Sequence, residues 1–174
     1  FTVRVADVDE TMDKSLPVQQ EVTRVSRLKA QTIAAGAAAD DIVIAADTIV
    51  VIDGRELGKP RSEQEALDML RLLSGRTHEV VTVLSVCKGP RIESEAVVTK
   101  VTFRTLCEEE LRAYVRTGEP MDKAGSYGIQ GYGAMFVKCI EGDYFSVMGL
   151  PLCPLCRMLR AFGVRILDVQ EAQA

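Results

Sequence analysis

The chain has 174 residues, of which 47% are hydrophobic and 26% charged, with 21 basic against 25 acidic side chains and a net charge of −4. That length suits one domain with a substantial core. The mild acidity excludes a general attraction for nucleic acid or an anionic membrane, while a local lysine cluster could still hold a small anionic substrate. No apolar run reaches the length of a membrane span, and no stretch resembles a signal peptide.

In chain order, Phe1-Thr2-Val3-Arg4-Val5 reads as a strand. Because the chain opens already inside that stretch, an N-terminal piece is expected to be missing. Residues 17–39 read as a helix with small and apolar residues on one face and Arg24, Arg27 and Lys29 interspersed; Gly36 marks its end. Residues 42–52 are apolar and β-branched except for Asp47 and Thr48. Such a strand is covered on both faces, where an ionised side chain is costly unless paired. The Asp53-Gly54 turn then predicts a hairpin that returns Lys59, in Leu57-Gly58-Lys59-Pro60, toward Asp47. Two readings of these residues stay open: a site for phosphate or metal chemistry, and a buried ion pair that fixes register.

Ser62-Glu63-Gln64-Glu65 is a capping box opening a helix to Leu73. Two Val- and Thr-rich strands follow, over 78–87 and 93–104, and Thr105-Leu106-Cys107-Glu108 resembles a second capping box for a helix through Tyr114. The segment 121–133 is dense in glycine, which predicts a loop that wraps something or brings backbone close to it. Strands over 135–140 and 143–148, a helix over 151–162, a short strand over 164–167 and a polar tail complete the reading. Helices alternate with hairpins, so the expected class is α/β (mixed α+β), a mixed sheet with flanking helices in one domain over 1–174.

The five cysteines are an odd, scattered set, as expected of free thiols in a reducing compartment. Cys153-Pro154-Leu155-Cys156 has no second C-x-x-C pair to complete a zinc site and reads as small apolar residues opening a helix. His78, the single histidine, lacks a Ser or Cys partner in a triad motif and reads as structural. Asp7 and Asp9 read as turn or capping residues, whereas Lys123 and Arg76 stay open between ligand contact and surface.

Several segments together carry a family resemblance: Asp7-Val8-Asp9-Glu10, Lys29-Ala30, Ala46-Asp47-Thr48-Ile49-Val50, Leu57-Gly58-Lys59-Pro60 and Leu73-Ser74-Gly75-Arg76-Thr77-His78-Glu79-Val80. Asp122-Lys123-Ala124-Gly125-Ser126-Tyr127-Gly128-Ile129-Gln130-Gly131, Gly142-Asp143-Tyr144 and Gly149-Leu150-Pro151-Leu152 continue it. Each block is weak alone, but their order and spacing resemble the Maf family of nucleoside triphosphate pyrophosphatases, the septum-formation-inhibitor homologues. The resemblance implies an inosine triphosphate pyrophosphatase-like fold, a twisted mixed sheet with a cleft between two lobes. It also implies release of pyrophosphate from a nucleoside triphosphate, with Mg²⁺ or Mn²⁺, in a cytoplasmic homodimer. The intact Tyr127-Gly128-Ile129-Gln130-Gly131 resembles the branch that takes dTTP, UTP and modified pyrimidine triphosphates in nucleotide house-cleaning. The alternatives are a pyrophosphatase for methylated GTP and a non-catalytic regulator of cell division.

By this resemblance Asp47 is the proton acceptor that orients the attacking water, and Glu10 helps Asp47 hold the metal. Lys29 and Lys59 supply positive charge to the triphosphate, and Thr48 and Gln130 contact base or sugar. The family's opening strand and Ser-x-Ser-Pro-Arg-Arg turn, which grips the phosphates, are not found before Phe1, which again leads to the expectation of a missing segment.

Overall fold

A computed structural model describes residues 1–11 and 16–166. The regular elements are α1 (Val18–Ala34), β1 (Val43–Ile52), β2 (Arg55–Leu57), α2 (Glu63–Leu73), β3 (Thr77–Lys88) and β4 (Arg91–Phe103). After them come α3 (Glu108–Val115), three short 3-10 turns, β5 (Val137–Glu141), α4 (Tyr144–Val147) and α5 (Leu152–Ala161). Helices flank a five-stranded sheet in the order β2-β1-β3-β4-β5, so the mixed α/β class holds. By its contacts the described chain forms two compact units, one of residues 1–11, 16–47, 83–96 and 150–166, the other of 48–82 and 97–149. Among the described residues no helix is long and apolar enough to cross a membrane.

The second unit holds the larger core, in which Val50, Leu70, Leu73, Val101, Phe103, Leu111, Tyr127 and Phe136 cluster. Its first hairpin follows local chemistry. Asp53 and Gly54 both take positive φ (51° and 71°), the two-residue geometry whose twist matches the strands, and Ile52 pairs with Arg55 across it. Helix α2 starts where its serine dictates: Ser62 accepts the N–H of Glu65 at 3.1 Å, while the Glu65 carboxylate reaches back one residue further than a capping box requires, to the N–H of Arg61 at 2.7 Å.

The first unit packs α5 and α1 around the ends of the long strands. Leu84, Val86, Leu155, Met158 and Phe162 form its core. Helix α1 buries Glu21, Val22, Val25, Ser26 and Ala30, a stripe at three- and four-residue spacing.

Three expectations from the sequence are corrected. Residues 1–5 are not a strand: Phe1, Val3 and Val5 are exposed, and no ladder partner for them exists among the described residues. Residues 143–148 form a single helical turn, because Asp143 accepts the N–H of Phe145 at 2.8 Å and buried Ser146 bonds back to the Asp143 carbonyl, closing the backbone before it can extend. Helix α3 is capped at Cys107 rather than Thr105; the Glu110 carboxylate accepts the Cys107 N–H at 3.1 Å, shifting the box by two residues. Of the short strand expected over 164–167, residues 164–166 are irregular and Leu167 lies outside the described residues, as does the polar tail over 168–174.

His78 is structural, as read. It is 2% exposed, its Nε2 meets the Tyr127 hydroxyl at 2.9 Å, and its ring packs edge-on against Phe103 and Tyr127. Burial pushes its pKa down to about 4, against 6.5 for a free imidazole. Between those values the unfolded chain binds a proton that the folded chain refuses, so stability falls as pH drops through that window. On going from pH 7 to pH 5 the histidine removes about 2 kcal/mol of folding free energy. Urea unfolding at both pH values, compared with His78→Gln, checks this: the variant should lose less on acidification, and equal losses would contradict it.

Candidate functional site

Within the first unit three charged side chains converge. Lys29 Nζ lies 2.7 Å from Asp47 Oδ1 and 2.8 Å from Glu10 Oε1. Asp47, at the middle of β1, and Lys29 are mostly withdrawn from water (side chains 17% and 18% exposed), whereas Glu10 is about half open at 49%. Burial alone would lower the Lys29 pKa; its bonds to Asp47 and Glu10 outweigh that and leave it above the ordinary lysine value. The ammonium is therefore held charged at neutral pH, between two carboxylates.

Local structure explains why a helix lysine reaches a strand carboxylate. Lys29 continues the buried stripe of α1, three residues after Ser26 and four after Val25. The Ser26 hydroxyl fixes the helix over the strands: it lies 3.4 Å from the Ala45 carbonyl, two residues before Asp47, and 2.8 Å from the Ser85 hydroxyl, which in turn meets Ser94 at 2.9 Å. By the resemblance Lys29 and Lys59 both carry positive charge for the triphosphate, while the lysine read as returning beside Asp47 is Lys59. The structure gives that contact to Lys29.

Within the second unit Thr48 belongs to a hydroxyl relay. Its Oγ1 lies 2.9 Å from that of Thr82, and Thr82 donates its only hydroxyl proton to the Ser146 carbonyl at 2.7 Å. Thr48 is therefore the donor to Thr82, and its oxygen is left with acceptor capacity only. Lys59 follows β2 and is exposed, and Gln130 is exposed on the glycine-rich loop.

Asp9, read as a turn or capping residue, and Lys123 and Arg76, left open, all find ordinary partners. Asp9 forms a side-chain turn, accepting the N–H of Thr11 at 2.8 Å. Lys123 pairs with Asp122 at 2.6 Å, and Arg76 makes two bonds of 2.7 Å to Asp53 beside the hairpin turn. Cys153 and Cys156 are free thiols in the first two turns of α5. Sequence reading missed Glu119: the glycine spacing that signals it was visible, but not which side chain the glycines admit.

Two carboxylates meeting at one cation position provide hard oxygen donors. No group of three or more His, Cys, Asp or Glu that could hold a metal occurs among the described residues. The donor set thus fits an ion of the Mg²⁺ type, which takes one or two carboxylates and fills its shell with water and phosphate oxygens, and does not fit an all-protein cage. Chemically, the cluster can accept a proton at Asp47 and place positive charge from Lys29 beside it.

Comparison with known proteins points to one family. The sequence profile of the family described as Maf-like protein matches residues 1–162. A dTTP/UTP pyrophosphatase of Moorella thermoacetica is 48% identical over 169 residues, covering 95% of this chain and 86% of that protein. Enzymes of the same name from Bacillus pumilus (46% identical; 94% and 86% covered) and Shigella sonnei (46%; 91% and 81%) are similarly close.

Proposed function

The chain belongs to the Maf family, and from that premise we propose that it hydrolyses dTTP, UTP and modified pyrimidine nucleoside triphosphates to the monophosphate and pyrophosphate. The observation that carries the proposal is the contact of Lys29 with both Asp47 and Glu10, in a chain whose relatives are named for this activity.

Asp47 takes the proton of the water that attacks the α-phosphorus. A short strand side chain has few rotamers, and the bond to Lys29 removes most of the remaining freedom, so the acceptor oxygen is aimed before substrate arrives. Lys29 stabilises charge that grows on the phosphate oxygens as the bond to pyrophosphate breaks. Lys59 meets the triphosphate; Gln130 offers the base edge a donor and an acceptor, and Thr48 offers an acceptor for an N–H or hydroxyl of base or sugar. Glu10 and Asp47 would hold Mg²⁺ or Mn²⁺, which supplies charge neutralisation to the polyphosphate. The enzyme works as a cytoplasmic homodimer, with no nucleic acid or membrane as partner.

The test is pyrophosphate release from UTP, dTTP, CTP and methylated GTP with Mg²⁺ or Mn²⁺. UTP and dTTP should lead in kcat/KM by at least about tenfold, the scale on which a hydrogen-bonding pocket separates bases. Excess chelator should abolish turnover, and added metal should restore it. Preference for methylated GTP, or turnover indifferent to chelation, would contradict the assignment.

A further inference from the structure

The glycine-rich segment folds around a side chain of its own chain. Glu119 Oε1 accepts the Tyr114 hydroxyl proton at 2.8 Å and the N–H of Gly133 at 3.1 Å, while Oε2 accepts the N–H of Tyr132 at 2.8 Å. The Tyr114 oxygen accepts in turn the N–H of Gly128 at 3.0 Å. One carboxylate and one phenol therefore hold three backbone amides of the loop.

The glycines are what make this possible. A Cβ at Gly131 would stand 2.2 Å from Glu119 Oε2, and one at Gly133 would stand 2.7 Å from the Gly128 carbonyl oxygen and 2.9 Å from the Tyr114 hydroxyl. At Gly128 a Cβ would crowd Glu119 Oε1 at 3.1 Å. The close approach expected of this loop is thus to an internal anion. Burial would raise the Glu119 pKa, but the amides of Gly133 and Tyr132 and the Tyr114 hydroxyl outweigh it and keep the carboxyl below its ordinary value.

Gln130 sits inside this cradle's span. The N–H of Gly131 bonds the Gly128 carbonyl at 3.3 Å, closing a turn whose central residues are Ile129 and Gln130. Ile129 is buried in the core and Gln130 is exposed, so the turn anchors by one central residue and presents the other. With Gly128 tied to Tyr114 on one side and Tyr132 and Gly133 tied to Glu119 on the other, the backbone that carries Gln130 is held from both flanks.

We infer that Glu119, acting with Tyr114, is a positioning residue that fixes the Gln130 turn for reading the pyrimidine base. This rests on the assignment of Gln130 to the base made above. Neither Glu119 nor Tyr114 is asked to touch the reacting phosphorus, so loss of either should act on binding and selectivity, with chemistry spared.

Two variants test it. Glu119→Gln keeps the shape but turns an N–H₂ toward amides that are themselves donors. Tyr114→Phe keeps the ring, which packs edge-on to Phe136 at 4.8 Å, and removes only the hydroxyl. Each should raise KM for UTP about tenfold and shrink the UTP-over-CTP preference, with kcat changed less than about threefold, the pattern of lost binding without lost chemistry. Hydrogen exchange of the Gly128, Tyr132 and Gly133 amides should accelerate in both. Should Glu119→Gln fail to fold, Tyr114→Phe carries the test alone. An active wild type whose variants keep KM, selectivity and amide protection overturns this inference only. A wild type that releases no pyrophosphate from any pyrimidine triphosphate overturns the pyrophosphatase assignment, and the role given to Gln130 goes with it.

Discussion

Asp47→Asn should lower kcat at least about 100-fold while KM for UTP moves little, the scale expected when a positioned general base is removed. The asparagine oxygen can still accept from Lys29 at the distance the carboxylate now holds, 2.7 Å, so position is largely kept. What disappears is the ability to take a proton. Unfolding free energy should change far less than the rate does, because Lys29 retains Glu10 at 2.8 Å as a counter-ion. Steady-state kinetics with a parallel urea titration separates the two effects. A variant that keeps more than a tenth of the wild-type kcat would show that Asp47 is only half of an ion pair.

Lys29→Met carries the second large effect. Removing the ammonium leaves the carboxylates of Glu10 and Asp47 facing one vacated cation position, with Asp47 largely shielded from water at 17% exposure. Breaking a shielded pair from one side is costly because the carboxylate left behind loses an opposite charge held at 2.7 Å. Turnover should fall about 100-fold, comparable to the loss of one transition-state charge donor. The same change should strengthen Mn²⁺ binding in the absence of nucleotide, since the lysine no longer competes for both carboxylates. Weaker activity together with tighter Mn²⁺ affinity, read by electron paramagnetic resonance titration, is the expected pair of results. Unaltered Mn²⁺ affinity would remove Glu10 and Asp47 from the metal.

These expectations set a scale for what the sequence made legible. Elements written in local chemistry were readable almost to the residue: the Asp53-Gly54 hairpin, the Ser62 cap and the β-branched run of β1. The first two of those signals act within four residues of chain, and the third is a continuous run along one strand. The errors share a cause as well. Residues 143–148 carry Tyr144, Phe145 and Val147, residue types common in strands, but a side-chain oxygen on Asp143 favours a helical turn, and Cys107 caps α3 without belonging to the residue types that usually do so.

The candidate site was half legible. Asp47 stood out because a carboxylate in an apolar strand demands a partner. Which lysine answers that demand is a tertiary fact: Lys29 lies 18 residues earlier, on a helix, and only the stripe through Val22, Val25 and Ser26 hinted that it faces inward. Lys59 was nearer in sequence beyond the hairpin and so drew the expectation. The glycine-rich loop shows the same division. Its composition announced a close approach, whereas the partner, Glu119, lies between the helix read through Tyr114 and the glycine-dense segment, with nothing local to mark it.

The most direct measurement of the catalytic account is a single turnover of UTP in ¹⁸O-labelled water, with the products separated by mass. Attack on the α-phosphorus by a water that Asp47 has deprotonated puts the label in UMP and leaves pyrophosphate unlabelled, and Asp47→Asn slows that incorporation without redirecting it. Label in pyrophosphate or in inorganic phosphate, or incorporation into UMP at an undiminished rate in the variant, would contradict it.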